Sequence, residues 1–225
     1  MTIEQYVTLA HLQTALSATV AILCFIKFKY RDAITRLIGL VFFTSFLANM
    51  TSFFFHQFPT LNAFVNTAYP AFSIISFILL SRVYYLSLRT IPMKWFVIGA
   101  VVFISFALMN LFFLQKLTLN SYTNIFYSFI LIIYCLLYFY TLMRDLPSLY
   151  VHHLPMFWFN SALLIFHAGA FFLFAFTSYL VNVLKNDLLI YWSFHNMLSI
   201  IEHFIIMVGI YYDFKFFRAR QMTRA

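Results

Sequence analysis

The stretch LLIYWSFHNMLSIIEHFIIMVGIYY, residues 188–212, decides the fold of this chain. It is an apolar run long enough to cross the hydrocarbon core of a bilayer, which takes about 20 residues of helix. Within it stand one carboxylate, Glu202, and two imidazoles, His195 and His203. Ionisable groups are costly in hydrocarbon and mark functional positions by default. The stretch therefore predicts a membrane helix and a functional site together.

The remainder of the chain has the same apolar character. Of its 225 residues, 64% are hydrophobic and 9% are charged, whereas a soluble domain carries about 25% charged residues. Continuous apolar runs indicate helices and not the short alternating segments of a β-barrel. We predict an all-α integral membrane protein, a single domain over residues 1–225 that forms a seven-helix bundle. The predicted spans are residues 6–28, 36–57, 63–86, 95–114, 122–142, 156–180 and 188–212.

The positive charges fall almost entirely on one side of this bundle. Twelve of the fourteen Lys and Arg residues flank alternate turns or follow the last span, and only Lys116 and Lys185 lie opposite. This asymmetry predicts an outside N-terminus and a cytoplasmic C-terminus. It also explains the net charge of +8 through contact with anionic lipid. Nucleic acid is not an expected partner, because no basic aromatic motif accompanies the charge.

The last span has a polar stripe at helical spacing. Positions three, four and seven apart share a helix face, so His195, Ser199 and Glu202 lie along one stripe. Asn196 and His203 share an adjacent stripe. Glu202 lies near the midpoint of the span, which makes it the most unusual residue of the chain.

Histidines of other spans lie at matching depths. His167 of the sixth span lies near the midplane, and we expect it to face Glu202 or His203, since helices joined by a short turn are usually neighbours. His11 of the first span lies at the depth of His195. The sequence thus predicts two polar layers, an outer one with His11, His195, Tyr69 and His56, and a central one with His167, Glu202, His203, Asn49 and Asn110.

Three hypotheses account for these polar groups. The first is a hydrogen-bonded interior network in which Glu202 is protonated or paired with a protonated histidine. The second is a ligand-binding or proton-sensing pocket that opens outward between the first, second, third and seventh helices. Its candidate residues are His195, Asn196, His11, Ser199 and Tyr69. The third is a metal or haem site on His167, Glu202 and His203.

The third hypothesis meets specific difficulties. Intramembrane zinc hydrolases with seven helices carry Ser-x-x-x-His followed by His-x-x-x-His, and Ser52 to His56 matches the first pattern. The second fails, because Ser199 stands where a histidine is needed after His195. His195 and His203 are only about 12 Å apart along the helix, too close for two stacked haems. No cofactor is therefore predicted, and a single metal ion or haem stays an alternative.

The last two spans resemble a known group of membrane proteins. PMFWFNSALLIFHAGAFFLFAF (155–176), with its Phe-Trp-x-Asn-Ser element, and WSFHN (192–196) are similar to uncharacterised bacterial seven-helix membrane proteins encoded beside sensor histidine kinases. The residues that match that pattern are Asn160, Ser161, His195 and Asn196, whereas the chain departs from it at residues 202–203. The resemblance implies a sensor in the bacterial inner membrane that works with a kinase.

We therefore expect a receptor-like membrane protein without catalytic residues that signals through a partner such as a histidine kinase. A pocket around His195 and Asn196 would bias two helix packings, while Asn160 and Ser161 would belong to the cytoplasmic output side and join helices by hydrogen bonds. The alternatives are an intramembrane metal or haem enzyme and a proton-coupled transporter that uses Glu202. Formation of a homodimer stays open.

Small residues and thiols give expectations about packing. Gly169 lies between two alanines, which favours close approach of a neighbouring helix. Pro70 interrupts the hydrogen bonds of the third span and predicts a kink. Cys24 and Cys135 both fall inside spans, so we expect two free thiols.

Overall fold

The structure, a computed structural model, describes residues 2–56, 62–114, 121–145, 150–179 and 189–222, and every regular element in these residues is helical. Seven of its helices contain a segment long and apolar enough to cross a membrane, which confirms the predicted seven spans. They are α1 (Ile3–Phe25), α2 (Ala33–His56), α3 (Asn62–Ser87), α4 (Met93–Met109), α5 (Ser121–Asp145), α6 (Pro155–Tyr179) and α7 (Leu189–Met222).

Local chemistry sets several helix ends. α1 begins with a capping box, in which the Thr2 hydroxyl accepts from the Gln5 N–H and the Gln5 side chain accepts from the Thr2 N–H; this satisfies two otherwise unpaired donors. α1 ends where Lys27 adopts a left-handed conformation with φ 56°. α4 begins after Pro92 and continues as the π-helical turn Asn110–Leu114.

The helices form a closed ring in chain order. Each helix packs on the next, and α7 packs on α1. α4 is the outermost member, with 17% of its apolar segment buried, and α3 also contacts α5. We call the end of the bundle where α1, α3, α5 and α7 finish the tail end, and the other end the far end.

Helices in lipid approach one another through small residues and van der Waals packing. A Cβ atom on Gly169 would lie 2.4 Å from the Leu198 side chain, so the predicted close approach at Gly169 is confirmed. Gly39 meets Cys24 of α1 in the same way. Cys24 and Cys135 are free and buried, as expected.

α7 is longer than the sequence predicted. The apolar run ends at residue 212, but the helix continues to Met222 and is about 51 Å long, whereas the hydrocarbon core is about 30 Å thick. The extra turns bring Asp213 into the helix at its tail end, inside the membrane-crossing segment Leu189–Lys215.

Candidate functional site

One face of α7 carries polar side chains into the bundle. Ser193, Asn196, Ser199 and His203 are each at most 7% exposed, and their spacing of three, three and four keeps them on one face. We call these four residues the α7 polar stripe. The opposite face is apolar and exposed, through residues such as Phe194, Met197, Ile201 and Phe204. The helix therefore has one side turned to the protein interior and one turned outward.

The far-end part of the α7 polar stripe contains polar atoms that form no hydrogen bond within the described chain. Ser193 Oγ and Asn196 Nδ2 are buried and have no hydrogen-bond partner among the described residues. A buried polar atom without a partner costs about 1–3 kcal/mol, so native proteins rarely leave one without a reason. These two atoms mark a place where a ligand or a water molecule would be favourable.

His203, the member of the stripe nearest to the tail end, contacts residues of two other helices. Its Nε2 lies 2.8 Å from the Ser17 hydroxyl of α1, and its Nδ1 contacts the Ser199 carbonyl one turn earlier in α7. Phe42 of α2 packs edge-on against the imidazole at 4.8 Å. The ring is therefore held on both nitrogens and on one face.

The contacts of His203 suit two protonation states. The Ser199 carbonyl only accepts, so Nδ1 carries a proton, and in the neutral ring Nε2 accepts from the Ser17 hydroxyl. Ser17 Oγ also lies 3.0 Å from the Gln13 carbonyl. In an imidazolium ring Nε2 would donate to Ser17, whose hydroxyl would then donate to Gln13. Within these hydrogen bonds, a proton added at Nε2 would reverse the orientation of the Ser17 hydroxyl group.

Two other residues of the predicted outer layer, His195 and His11, do not lie on the α7 polar stripe. His195 is half-buried, and its ring packs edge-on against Phe166, Phe174 and Trp192. His11 is exposed and packs on Phe53 of α2. The two imidazoles therefore have different neighbours although α1 and α7 touch.

Tyr69 is 39% exposed on α3, so of the predicted sensing residues only Asn196 and Ser199 lie on the α7 polar stripe. Asn49 is half-buried on α2, and the side chain of His56 lies outside the described part of the chain.

Asn110 was expected in the central layer. Residue 110 directly follows the end of α4, so Asn110 lies at the far end of the bundle. There its amide donates to Thr123 in the first turn of α5.

Glu202 is buried beside the stripe and points toward a different neighbour. It is 6% exposed and has no ion-pair partner in the described chain. Tyr127 and Cys135 of α5 lie within electrostatic range of its carboxyl group. His203, one residue later, is turned toward α1, since successive helical residues are rotated by about 100°. The Glu202 carboxyl group and the His203 imidazole therefore have different neighbours.

His167 also faces α5. Its Nδ1 lies 3.2 Å from Ser128 Oγ, and Tyr127 packs edge-on against it at 5.0 Å. Among the described residues, no group of three or more His, Cys, Asp and Glu side chains is placed to hold a metal ion. The structure therefore does not bring His167, Glu202 and His203 together as a ligand set.

Asn160 ties three helices together nearer the tail end. It is fully buried, accepts a hydrogen bond of 2.9 Å from Tyr84 of α3 and donates one of 3.2 Å to the Cys135 carbonyl of α5. The Tyr84 hydroxyl also lies 2.9 Å from Cys135 Sγ. Within the described part of the chain, the Ser161 hydroxyl donates only to the Phe157 carbonyl of its own helix. The Asn160 amide thus links α6 to α3 and α5, whereas the Ser161 hydrogen bond stays within α6.

Sequence reasoning missed the charged contact at the tail end. Arg31 Nη1 lies 2.9 Å from Asp213 Oδ2, and the two side chains are 3% and 10% exposed. The guanidinium also packs over the Phe214 ring at 4.3 Å. The charge pattern places Arg31 only among the cations that flank the first cytoplasmic turn, and the last predicted span ends at residue 212, directly before Asp213. An acidic residue directly after the last span was the available signal.

Comparisons with known proteins give no relative whose function could be considered for this chain. No protein-family model, curated protein or solved structure matches this chain.

Proposed function

We propose that this chain is a receptor-like protein of the bacterial inner membrane that senses a stimulus in the far-end half of the bundle and signals to a partner such as a histidine kinase. The α7 polar stripe carries the proposal, because two of its buried polar atoms, Ser193 Oγ and Asn196 Nδ2, have no partner among the described residues. They lie on α7, which continues as a helix to Met222, beyond its membrane-crossing segment Leu189–Lys215.

We further propose that the far end faces the outside and the tail end the cytoplasm. The cations of the described chain cluster near the tail end, from Lys27 to Lys215, and positive residues concentrate on the cytoplasmic side of membrane proteins. In this orientation the unpartnered atoms are nearer to the outside, and the end of α7 is presented to cytoplasmic partners.

The chemistry of the α7 polar stripe favours an uncharged ligand. Its side chains are two hydroxyls, one amide and one imidazole, and residues 189–201 contain no Asp, Glu, Lys or Arg. A buried ionic ligand requires a countercharge. A small molecule with a hydrogen-bond acceptor facing Asn196 Nδ2 would fit this stripe better than an ion would.

Movement of α7 is the proposed route of the signal. Below His203 the inward face of α7 is apolar, with Ile206 and Ile210 buried in the main core, until Asp213 is reached. No continuous series of described polar side chains connects His203 to Asp213. This favours a shift of the whole helix over a proton relay along it. A ligand can shift the two packings only by its preference for one of them.

A pull-down tests this proposal. Affinity purification of the intact chain from its native membrane is expected to recover a kinase, and removal of residues 216–225 is expected to reduce the recovery. A full-length control with Arg218, Arg220 and Arg224 changed to Gln separates the effect of charge from that of length. Recovery of no kinase or other regulator with any of these chains would count against signalling through a partner.

A proton-coupled transporter is the second candidate, and Glu202 favours it. A buried carboxyl group without an ion-pair partner among the described residues is suited to binding and releasing a proton. The discriminating measurement is proton-coupled uptake into liposomes. Uptake that is lost in Glu202→Gln and kept in Glu4→Gln, which changes an exposed carboxylate, would support transport. Equal behaviour of the two variants would oppose it.

A further inference from the structure

An aromatic cluster at the tail end joins the connection between α5 and α6 to α7. It consists of Tyr150, His152, His153, Trp158 and Tyr212, which we call the ring cluster. The His153 ring lies 5.6 Å from the Tyr212 ring and 4.3 Å from the His152 ring. Trp158 stacks on Tyr212 with an angle of 5° between the rings. The Val151–His153 turn is thus held against α7 mainly by rings.

A hydrogen bond fixes the turn to α6 as well. Trp158 Nε1 donates to the His152 carbonyl over 2.7 Å. Trp158 therefore contacts both partners of the junction, the turn through its N–H and α7 through its ring face. Any separation of the turn from α7 must change the surroundings of this indole.

The charges around the ring cluster disfavour a proton on His153. Burial lowers the pKa of His153, and the neighbouring His152 and Lys215 of α7 lower it further. The other rings of the cluster, those of Tyr150, Trp158 and Tyr212, bring no carboxylate to it. Asp213, the residue after Tyr212, has its carboxylate engaged by Arg31. A proton taken up by His153 therefore has no countercharge within the cluster.

We propose that the ring cluster is a proton-responsive contact, in which protonation of His153 releases the Val151–His153 turn from α7. The packed arrangement favours the neutral imidazole, so the contact is fully formed above about pH 6.5, the ordinary pKa of histidine, and is lost as the pH falls below it. This property is separate from ligand sensing at the α7 polar stripe and does not require it.

The consequence concerns the attachment of α7. At the tail end, the contacts that hold the described part of α7 include the Arg31–Asp213 ion pair and the ring cluster. Acidification on this side would remove the second and leave the first. If the tail end is cytoplasmic, the cell interior would thereby influence the same helix that the α7 polar stripe influences from outside.

The test uses the full chain with Trp158 as its sole tryptophan, made by Trp95→Phe and Trp192→Phe. Quenching of Trp158 fluorescence by acrylamide, a neutral quencher, is measured between about pH 8 and about pH 5, the range in which histidine titrates. The quenching constant is expected to rise on acidification with a midpoint below about pH 6.5, because release of the turn exposes the indole.

Four variants in this background decide the assignment. His153→Phe keeps a ring and is expected to abolish the rise. His152→Phe and Lys215→Met each remove a neighbouring positive group and are expected to move the midpoint upward, toward about pH 6.5. His11→Phe, at a distant imidazole, is expected to change nothing. A flat quenching constant in the parent, or an unchanged rise in His153→Phe, would overturn the proposal. Because no ligand or kinase is used, this outcome is independent of the proposed function.

Discussion

Replacing Arg31 with methionine is expected to lower the free energy of unfolding by about 3–5 kcal/mol, the cost of leaving one member of a buried ion pair without its partner. Arg31 also donates to the Ile26 carbonyl at 3.3 Å and to the Leu23 carbonyl at 3.0 Å. Its loss therefore frees two carbonyl groups at the end of α1 as well as the Asp213 carboxylate. The measurement is reversible unfolding of the purified protein in mixed micelles, followed by far-UV circular dichroism.

Two controls separate burial from charge. Arg144→Met breaks an ion pair whose side chains are 50% and 47% exposed and should leave the free energy of unfolding almost unchanged, because water screens an exposed pair. The double variant Arg31→Met/Asp213→Leu should recover most of the lost stability, because an apolar pair can replace a buried ion pair at little cost. Similar losses in Arg31→Met and Arg144→Met would show that the Arg31–Asp213 contact is not desolvated in the folded protein.

The helices could be predicted because hydrocarbon imposes a length. A backbone in lipid must satisfy its own hydrogen bonds, so each apolar run of about 20 residues becomes a helix. The close approach at Gly169 could be predicted for a similar reason, since a small residue between alanines leaves room for a neighbour. The end of α7 was harder to predict. The residues after 212 are polar enough to leave the hydrocarbon core, yet they still favour a helix.

The partners of the polar side chains could not be predicted. Depth follows from counting residues, but rotation about the helix axis depends on packing over the whole bundle. Glu202 and His203 have nearly the same depth, yet the first lies within electrostatic range of Tyr127 of α5 and the second contacts Ser17 of α1. Arg31 and Asp213 are 182 residues apart, and no local pattern joins them. Burial of Asn196 and Ser199 required only the helical period, and the stripe was correspondingly easier to predict.

Replacing Gly39 with alanine is expected to lower the free energy of unfolding by about 1–3 kcal/mol, the usual cost of inserting atoms into a packed core. The new Cβ would lie 2.5 Å from Cys24 Cβ. A Cβ atom cannot move without its own backbone, so α1 and α2 must separate along their contact. The loss should exceed the gain of about 1 kcal/mol that alanine brings to a helix. The same unfolding measurement detects it.

Gly99→Ala is the matched substitution. Among the described residues its Cβ would meet only the Tyr134 hydroxyl, at 2.8 Å, and the end of a side chain can move aside more readily than a Cβ atom. It should therefore be close to neutral. Moving the glycine across the interface, in Cys24→Gly/Gly39→Ala, should restore part of the stability, whereas Cys24→Ser/Gly39→Ala keeps the obstructing Cβ and should not. If the serine and glycine double variants were equally stable, the contact between the two Cβ atoms would not be what limits the approach of α1 to α2.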